Sequence, residues 1–185
     1  CRLSRICTNC HQFSLTLGHW RAHALAMSDQ ATGSNAELIG RIQNAGRLFA
    51  IDLRALSDEQ ASKSPGGKAR TAMDIAFEVI AINHVVASSA RGENKKFEMP
   101  QGWMTAPADL TKDDAVAQFE ASISDVCAAL AHVGPETFDK PVQTPFGEST
   151  LGFLANMVPT HVMYHSGQLN YIQTLFGDDA FHWMG

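Results

Sequence analysis

The sequence lacks three features that would assign the protein to particular functional classes. No apolar run approaches the roughly 18 to 20 residues that are needed to cross a bilayer. The 14 Lys and Arg residues are scattered along the 185-residue chain, so they form no basic stripe that could neutralise phosphates. Only four cysteines are present, and three of them lie within the first ten residues, which is not the spacing of a disulfide framework. These absences predict a cytoplasmic protein with no membrane or nucleic-acid partner.

The first 26 residues differ from the rest of the chain because they show no clean apolar period. Their segment "CTNCH", at 7–11, matches the short pattern of covalent c-type haem attachment, but few residues precede it, and "MSDQ" from Met27 has the character of a natural start. We therefore interpret residues 1–26 as a leader or a non-native extension outside the fold. Residues 27–185, with the ordinary apolar content of a globular protein, are predicted to form one domain.

Four stretches place apolar residues at intervals of three and four, which is the period of an amphipathic helix. They extend from Ser34 to Leu56, from Thr71 to about Ala90, from Thr111 to near Gly134, and from Ser149 or Thr150 onward. Long connections rich in Pro, Gly or Thr separate the second helix from the third and the third from the fourth. No segment alternates as a strand would. The pattern predicts an all-α fold, a four-helix bundle with two long connections.

The last helix carries two histidines, His161 and His165, within "THVMYHSGQLNYIQ". Residues four apart on a helix lie one above the other, so both imidazoles could reach one metal ion. Imidazole nitrogen suits zinc, nickel, copper or iron(II). Histidines at this spacing also occur as hydrogen-bonded core residues, so the pair alone leaves both interpretations open.

The wider segment "FGESTLGFLANMVPTHVMYHSGQLNYI" resembles the last helix of the DinB/YfiT-like family, in which a Phe-Gly turn leads into a helix with H-x-x-x-H and then Gly-Gln. Weaker similarity covers about Ser34 to Gly177, through "LSDEQ" and "ARTAMDIAFEV". The resemblance implies a four-helix bundle and a mononuclear metal held by three histidines, one from the second helix and two from the last. It also implies open coordination positions for water or substrate.

The third ligand implied by this resemblance does not coincide with a histidine. Counting from Thr71 as in the family, the ligand position falls on Glu78. The nearest histidine, His84, lies roughly 120° around the helix from it. Glu78 lies near the edge of the apolar stripe, whereas His84 points well away. We therefore predict Glu78, His161 and His165 as the metal ligands, with His84 as the alternative to Glu78.

Three polar residues are candidates for the surroundings of the metal. Tyr164 and Gln168 share the histidine face of the last helix by spacing, and Asn83 falls close to the apolar face of the second helix. Each could orient a ligand or a bound molecule, and each could equally serve helix packing or bond across the bundle. Gly167 is predicted to let a neighbouring helix come close.

The resemblance implies a divalent-metal-dependent enzyme whose chemistry is thiol transfer, as in relatives that use bacillithiol or mycothiol. The alternatives are a metal-dependent hydrolase and a non-catalytic bundle that binds a small ligand or acts in stress response, so whether the protein is an enzyme stays open. We expect zinc or nickel, with iron and manganese as alternatives, together with a low-molecular-weight thiol and a small-molecule substrate. The oligomeric state also stays open, with a homodimer as one expectation.

Overall fold

The computed structural model describes residues 35–93, 99–144 and 147–184. The predicted start of the first helix at Ser34, the "CTNCH" segment and the boundary after residue 26 lie outside these residues. Within them, the helices are α1 (Asn35–Ala55), α2 (Asp58–Ser62), α3 (Ala72–Ala90), α4 (Lys112–Ala131), α5 (Pro135–Phe138) and α6 (Leu151–Leu175). A 3₁₀ turn, His182–Met184, follows α6.

The four long helices α1, α3, α4 and α6 form an all-α four-helix bundle, as the sequence predicts. Helix α1 packs against α4 and α6, and α3 also packs against α4 and α6, so α1 and α3 lie on opposite corners. One contiguous apolar core fills the space between them, with Phe49 and Phe119 in ring contact at 4.5 Å between centroids. The adjacency of α3 and α6 brings residues of the second and last predicted helices to one place.

Local hydrogen bonds explain where the long helices begin. The Thr71 hydroxyl accepts from the Asp74 amide and the Asp74 carboxylate accepts from the Thr71 amide, which is a capping box at the start of α3. Thr111 caps α4 and Thr150 caps α6 through the same kind of side-chain acceptor. The last helix then continues through Pro159 to Leu175.

Three expectations from the sequence differ from the structure. An antiparallel hairpin, Pro141–Thr144 paired with Gly147–Thr150, lies in the connection before α6, where no strand was predicted. Its strands are only four residues long and Val142 alone among their eight residues is buried, so they carry no apolar alternation. The short helix α2 was also not predicted: the first helix ends at Ala55, next to the predicted Leu56, and Ser57 then forms a capping box that starts α2.

The third difference concerns hydropathy. Among the described residues, one helix, Ala72–Ala90, is long and apolar enough to cross a membrane, although the sequence analysis found no such run. In the structure, 72% of its apolar window is buried inside the bundle. Its apolar character is explained by the contacts that α3 makes with α4 and α6 within the core.

Candidate metal centre

Three side chains from α3 and α6 converge at the interface between these helices. Glu78 comes from α3, and His161 and His165 come from successive turns of α6. The Nε2 atoms of the two histidines are 3.0 Å apart, and Oε1 of Glu78 lies 3.5 Å from the first and 3.4 Å from the second. One ligand atom from each residue therefore falls within 4.8 Å of the others.

These distances fit a single small cation. Four ligands at about 2.0 to 2.1 Å from zinc in a tetrahedron are separated by about 3.3 to 3.4 Å, and three adjacent ligands of an octahedron are closer, at about 3.0 Å. The observed separations of 3.0, 3.4 and 3.5 Å span this range. The donor set, one carboxylate oxygen and two imidazole nitrogens, is also one that zinc and other divalent first-row metals accept.

A hydrogen-bond chain fixes the orientation of His165. Its Nδ1 lies 2.7 Å from Oε1 of Gln168, and an amide oxygen can only accept, so Nδ1 carries the proton and Nε2 presents its lone pair to the cluster. The Gln168 amide in turn donates to the Tyr164 hydroxyl at 3.2 Å, and the Tyr164 ring packs edge-on against His165. Such outer partners are the usual accompaniment of a metal-ligating histidine.

His161 is held differently. Its Nδ1 is buried and has no hydrogen-bond partner among the described residues, so His161 lacks the kind of outer partner that Gln168 provides for His165. The two imidazole rings are nearly perpendicular, with centroids 4.5 Å apart. His161 is the more accessible of the two, since its side chain is 16% exposed against 2% for His165. The open side of the cluster therefore lies toward His161.

Arg70 belongs to the centre although it was not predicted from the sequence. It lies in the loop before α3 and forms an ion pair with Oε2 of Glu78, the carboxylate oxygen that does not contact the histidines. Burial raises the pKa of Glu78, but the neighbouring side chains of His161, His165 and Arg70 outweigh burial and hold that pKa well below its ordinary value. Glu78 is thus an anion, the form that binds a cation. No helical period relates Arg70 to Glu78, so no pattern in the sequence could have identified it.

Two of the predicted residues, His84 and Asn83, lie away from the three donors. His84 is exposed, and its Nδ1 lies 3.6 Å from Oδ2 of Asp125 on α4, so the alternative that placed it among the ligands does not agree with the structure. His84 faces α4 and solvent because it lies roughly 120° around the helix from Glu78. Asn83 is fully buried, and its amide donates to the Ser122 hydroxyl at 3.0 Å, which is a bond across the bundle rather than a contact with the centre.

The prediction for Gly167 is wrong. A Cβ atom built on Gly167 would meet no other atom within 4 Å, so no neighbouring helix approaches it. The glycine instead lies on the exposed side of α6, beside the two residues that pack on His165, namely Tyr164 and Gln168.

A second buried polar cluster lies elsewhere between α1 and α6. The carboxylate of Asp52 accepts hydrogen bonds from the Ser166 hydroxyl and, at 2.7 Å, from the Trp183 indole. The Gln173 amide donates to the Asp52 carbonyl at 2.7 Å. Burial raises the pKa of Asp52, and the hydrogen bonds only partly offset that effect. The cluster ties the 3₁₀ turn to α1.

Comparison with known sequences and structures assigns the family. Residues 41–169 match the family described as the DinB superfamily, which is more than half of the chain. The chain belongs to the DinB superfamily. No curated protein matches the sequence of this DinB-superfamily chain.

Two solved structures share its fold. A DinB-like protein, YjoA from Bacillus subtilis, superposes with a TM-score of 0.60 at 13% identity, over 79% of this chain and 96% of that protein. A mutant of the mycothiol-dependent maleylpyruvate isomerase superposes with a TM-score of 0.60 at 14% identity, over 74% of this chain and 61% of the isomerase. At these identities the similarity concerns the fold, and the DinB-superfamily chain spans less than two thirds of the isomerase.

Proposed function

We propose that this protein is a divalent-metal-dependent enzyme in which Glu78, His161 and His165 hold one ion and a low-molecular-weight thiol supplies the nucleophile. The observation that carries the proposal is the convergence of three donor atoms from two helices within 4.8 Å. The proposed ion is zinc or nickel, with iron and manganese as alternatives, because imidazole and carboxylate together suit these metals.

A bound divalent ion lowers the pKa of a thiol or water that coordinates it, so that a nucleophile is present at neutral pH. The residues of the chain supply the rest. Glu78 contributes a negative charge through Oε1, while Arg70 engages Oε2. The Gln168 amide keeps the Nε2 lone pair of His165 directed at the centre. The greater exposure of His161 leaves an approach for a small molecule.

Two observations favour thiol transfer. The fold is shared with an isomerase that is described as mycothiol-dependent. Cys127, on α4, is buried and is not part of the donor cluster, and burial raises the pKa of its thiol, so it stays protonated and unreactive. Since Cys127 is the cysteine of the described residues and is unreactive, we take the nucleophilic sulfur from a separate molecule. Its electron pair forms a bond to an electrophilic carbon, the thiol proton passes to solvent, and the leaving group departs with its bonding pair.

A second candidate function is metal-dependent hydrolysis. One glutamate with two histidines is a donor set used by zinc hydrolases, and this is the set that Glu78, His161 and His165 present. In that reaction water replaces the thiol as the attacking group and the same residues hold the ion.

Metal analysis of the purified full chain tests the metal site that both candidate functions require. We expect about one divalent ion per chain in the wild type, its loss in His161→Ala, and its retention in His84→Ala, which removes an exposed imidazole outside the cluster. A folded wild type that takes up no ion from zinc, nickel, iron or manganese salts would contradict the proposal and favour a non-catalytic bundle.

One electrophile then separates the two reactions. The metal-loaded protein is incubated with 1-chloro-2,4-dinitrobenzene, either alone or together with bacillithiol, mycothiol or cysteine. Thiol transfer gives the dinitrophenyl thioether and chloride, whereas hydrolysis gives 2,4-dinitrophenol and chloride, and mass spectrometry distinguishes the products. If neither product forms faster than with His161→Ala, this result would count against an enzyme of either kind for this class of electrophile.

A further inference from the structure

A groove on the outer side of α6 borders the metal centre. It lies between α6 and the segment that leads into α3, and its volume of about 490 Å³ is in the range of small-molecule sites. Its lining includes Arg70, Tyr164, Gly167, Gln168, Tyr171 and Leu175. We refer to it as the α6 groove.

Three lining residues connect the α6 groove to the donors. Arg70 contacts Glu78, Gln168 contacts Nδ1 of His165, and the ring of Tyr164 packs on the same imidazole with centroids 5.0 Å apart. A molecule in the groove would therefore lie against the residues that hold Glu78 and His165 in place. The groove and the donor cluster share one wall.

The outer part of the groove is apolar and exposed. Tyr164, Tyr171 and Leu175 are 63%, 65% and 50% exposed, respectively, and their spacing of seven and four places them on one face of α6. Large apolar side chains gathered on one exposed face are characteristic of surfaces that bind something. Two tyrosine rings also offer faces for stacking with an aromatic group.

Gly167 is the observation that distinguishes a built groove from an incidental one. It lies inside α6, where glycine weakens a helix relative to alanine, and no close helix contact requires it, because a Cβ there meets nothing within 4 Å. What its missing side chain provides is space in the groove between Tyr164 and Tyr171. Any larger residue at this position would project into that space.

The polar end of the groove indicates the charge of its occupant. Arg70 uses Nη1 for Glu78, and within the described ranges its other guanidinium nitrogens have no hydrogen-bond partner, so they can donate to an anion. A divalent ion at the centre would add positive charge next to the balanced pair of Arg70 and Glu78. Both features favour a carboxylate or similar anion at this end.

We propose that the α6 groove binds a small molecule with an aromatic or aliphatic body along Tyr164, Tyr171 and Leu175 and a carboxylate at Arg70. It is a second site beside the metal centre, because its lining contacts the sides of Glu78 and His165 that face away from the three donor atoms. The inference therefore goes beyond the proposed function and does not depend on it.

The test uses the aromatic carboxylate 2-naphthoate as probe and compares two glycine substitutions in the full chain. Gly167→Leu fills the groove, and Gly40→Leu is the matched control, since Gly40 is also helical, exposed and without any atom within 4 Å of its Cβ position. Both variants should fold and should unfold at a temperature at least as high as the wild type, because leucine favours a helix over glycine.

Calorimetric titration in the presence of a chelator measures binding without metal. We expect 2-naphthoate to bind the wild type and Gly40→Leu equally, and Gly167→Leu to bind it at least tenfold more weakly. The neutral analogue 2-naphthamide should bind the wild type more weakly than 2-naphthoate. Equal affinity of both glycine variants, or no binding to the wild type, would overturn the proposal.

Two further measurements separate this proposal from its alternatives. Zinc affinity is determined independently. If Gly167→Leu weakens naphthoate binding in a protein that binds no zinc, the groove proposal is supported and the metal-dependent enzyme is rejected. If the protein binds zinc but not naphthoate, the metal-dependent enzyme is supported and the groove proposal is rejected. Sedimentation of the wild type and Gly167→Leu addresses a second copy of the chain as occupant. A wild-type dimer that Gly167→Leu converts to monomers would show that the groove is an interface between two copies of the chain and would overturn the small-molecule assignment.

Discussion

Arg70 and Glu78 form an ion pair that uses the carboxylate oxygen facing away from the two histidines. The pair places one positive and one negative charge next to two imidazoles, so the formal charge of the centre equals that of a site built from three neutral histidines. The arrangement accounts for how a glutamate can occupy the position where the family resemblance implies a histidine.

The first prediction concerns the stability of the metal-free protein. In Arg70→Met the buried carboxylate of Glu78 loses its guanidinium partner, and we expect a loss of roughly 1 to 3 kcal/mol in the free energy of unfolding. Arg54→Met is the control, because it breaks an ion pair with Glu120 in which both side chains are 51% exposed, and such pairs contribute about 0 to 1 kcal/mol. Urea unfolding at neutral pH with a chelator measures both, and equal losses would show that the Arg70 pair is no stronger than a surface contact.

The second prediction concerns the third ligand. Glu78→Ala should lower zinc affinity by at least about tenfold, because the site keeps only two imidazoles. Glu78→His should bind zinc better than Glu78→Ala, and adding Arg70→Met to Glu78→His should improve binding again, since the guanidinium then has no carboxylate to balance it. Competition with a coloured chelator gives the affinities. Unchanged affinity in Glu78→Ala would remove Glu78 from the ligand set.

The third prediction concerns the tautomer of His165. Gln168→Leu removes the acceptor 2.7 Å from Nδ1, and we expect zinc affinity to fall by about 10- to 100-fold, the usual effect of losing an outer partner. Tyr164→Phe retains the ring against His165 and removes only the hydroxyl that accepts from Gln168. This variant should change the affinity much less. Similar losses in the two variants would indicate that the hydroxyl, not the Gln168 oxygen, controls the imidazole.

The fourth prediction concerns pH and Asp52, whose pKa is raised by burial. A raised pKa in the folded state means that the associated stability is complete below the unfolded pKa, near 3.8, and is lost as the pH rises through the folded value. In Asp52→Asn no charge is buried, and the amide can still accept from Trp183 while donating to Ser166. The wild type should therefore lose stability relative to Asp52→Asn as the pH rises above about 3.8.

The matched control for this prediction is Asp109→Asn, which removes the same charge at an exposed loop position. Thermal unfolding across the pH range measures all three proteins. A wild type whose stability runs parallel to that of Asp52→Asn at every pH would show that the buried carboxylate does not change its protonation on folding.

The sequence predicted the parts of the fold that depend on local periodicity. Apolar residues such as Val79 and Val86 recur at helical spacing because one face of each helix is buried, and caps such as Thr71 are recognisable from residue type alone. The hairpin before α6 was missed because its stability comes from backbone pairing and the adjoining helix rather than from an apolar face.

In the candidate site, too, the residues related by helical periodicity were predicted and the others were not. Helical angles predict that His161 and His165 share one face, and they favour Glu78 over His84. The structure brings Glu78 and the two last-helix histidines together. Arg70 and Asp52 depend on tertiary contacts between segments with no common period. The prediction for Gly167 was wrong because a glycine in a helix indicates missing side-chain volume, but it does not tell whether a neighbouring helix or a small molecule occupies that volume.

The three donors belong to helices that are adjacent in space but far apart along the chain. An ion held by Glu78 and His161 would therefore cross-link the second and last helices of the bundle, much as a covalent bridge closes a long loop. Loading the centre would then make the whole core more resistant to heat, so cellular metal supply would govern the lifetime of the protein as well as its chemistry.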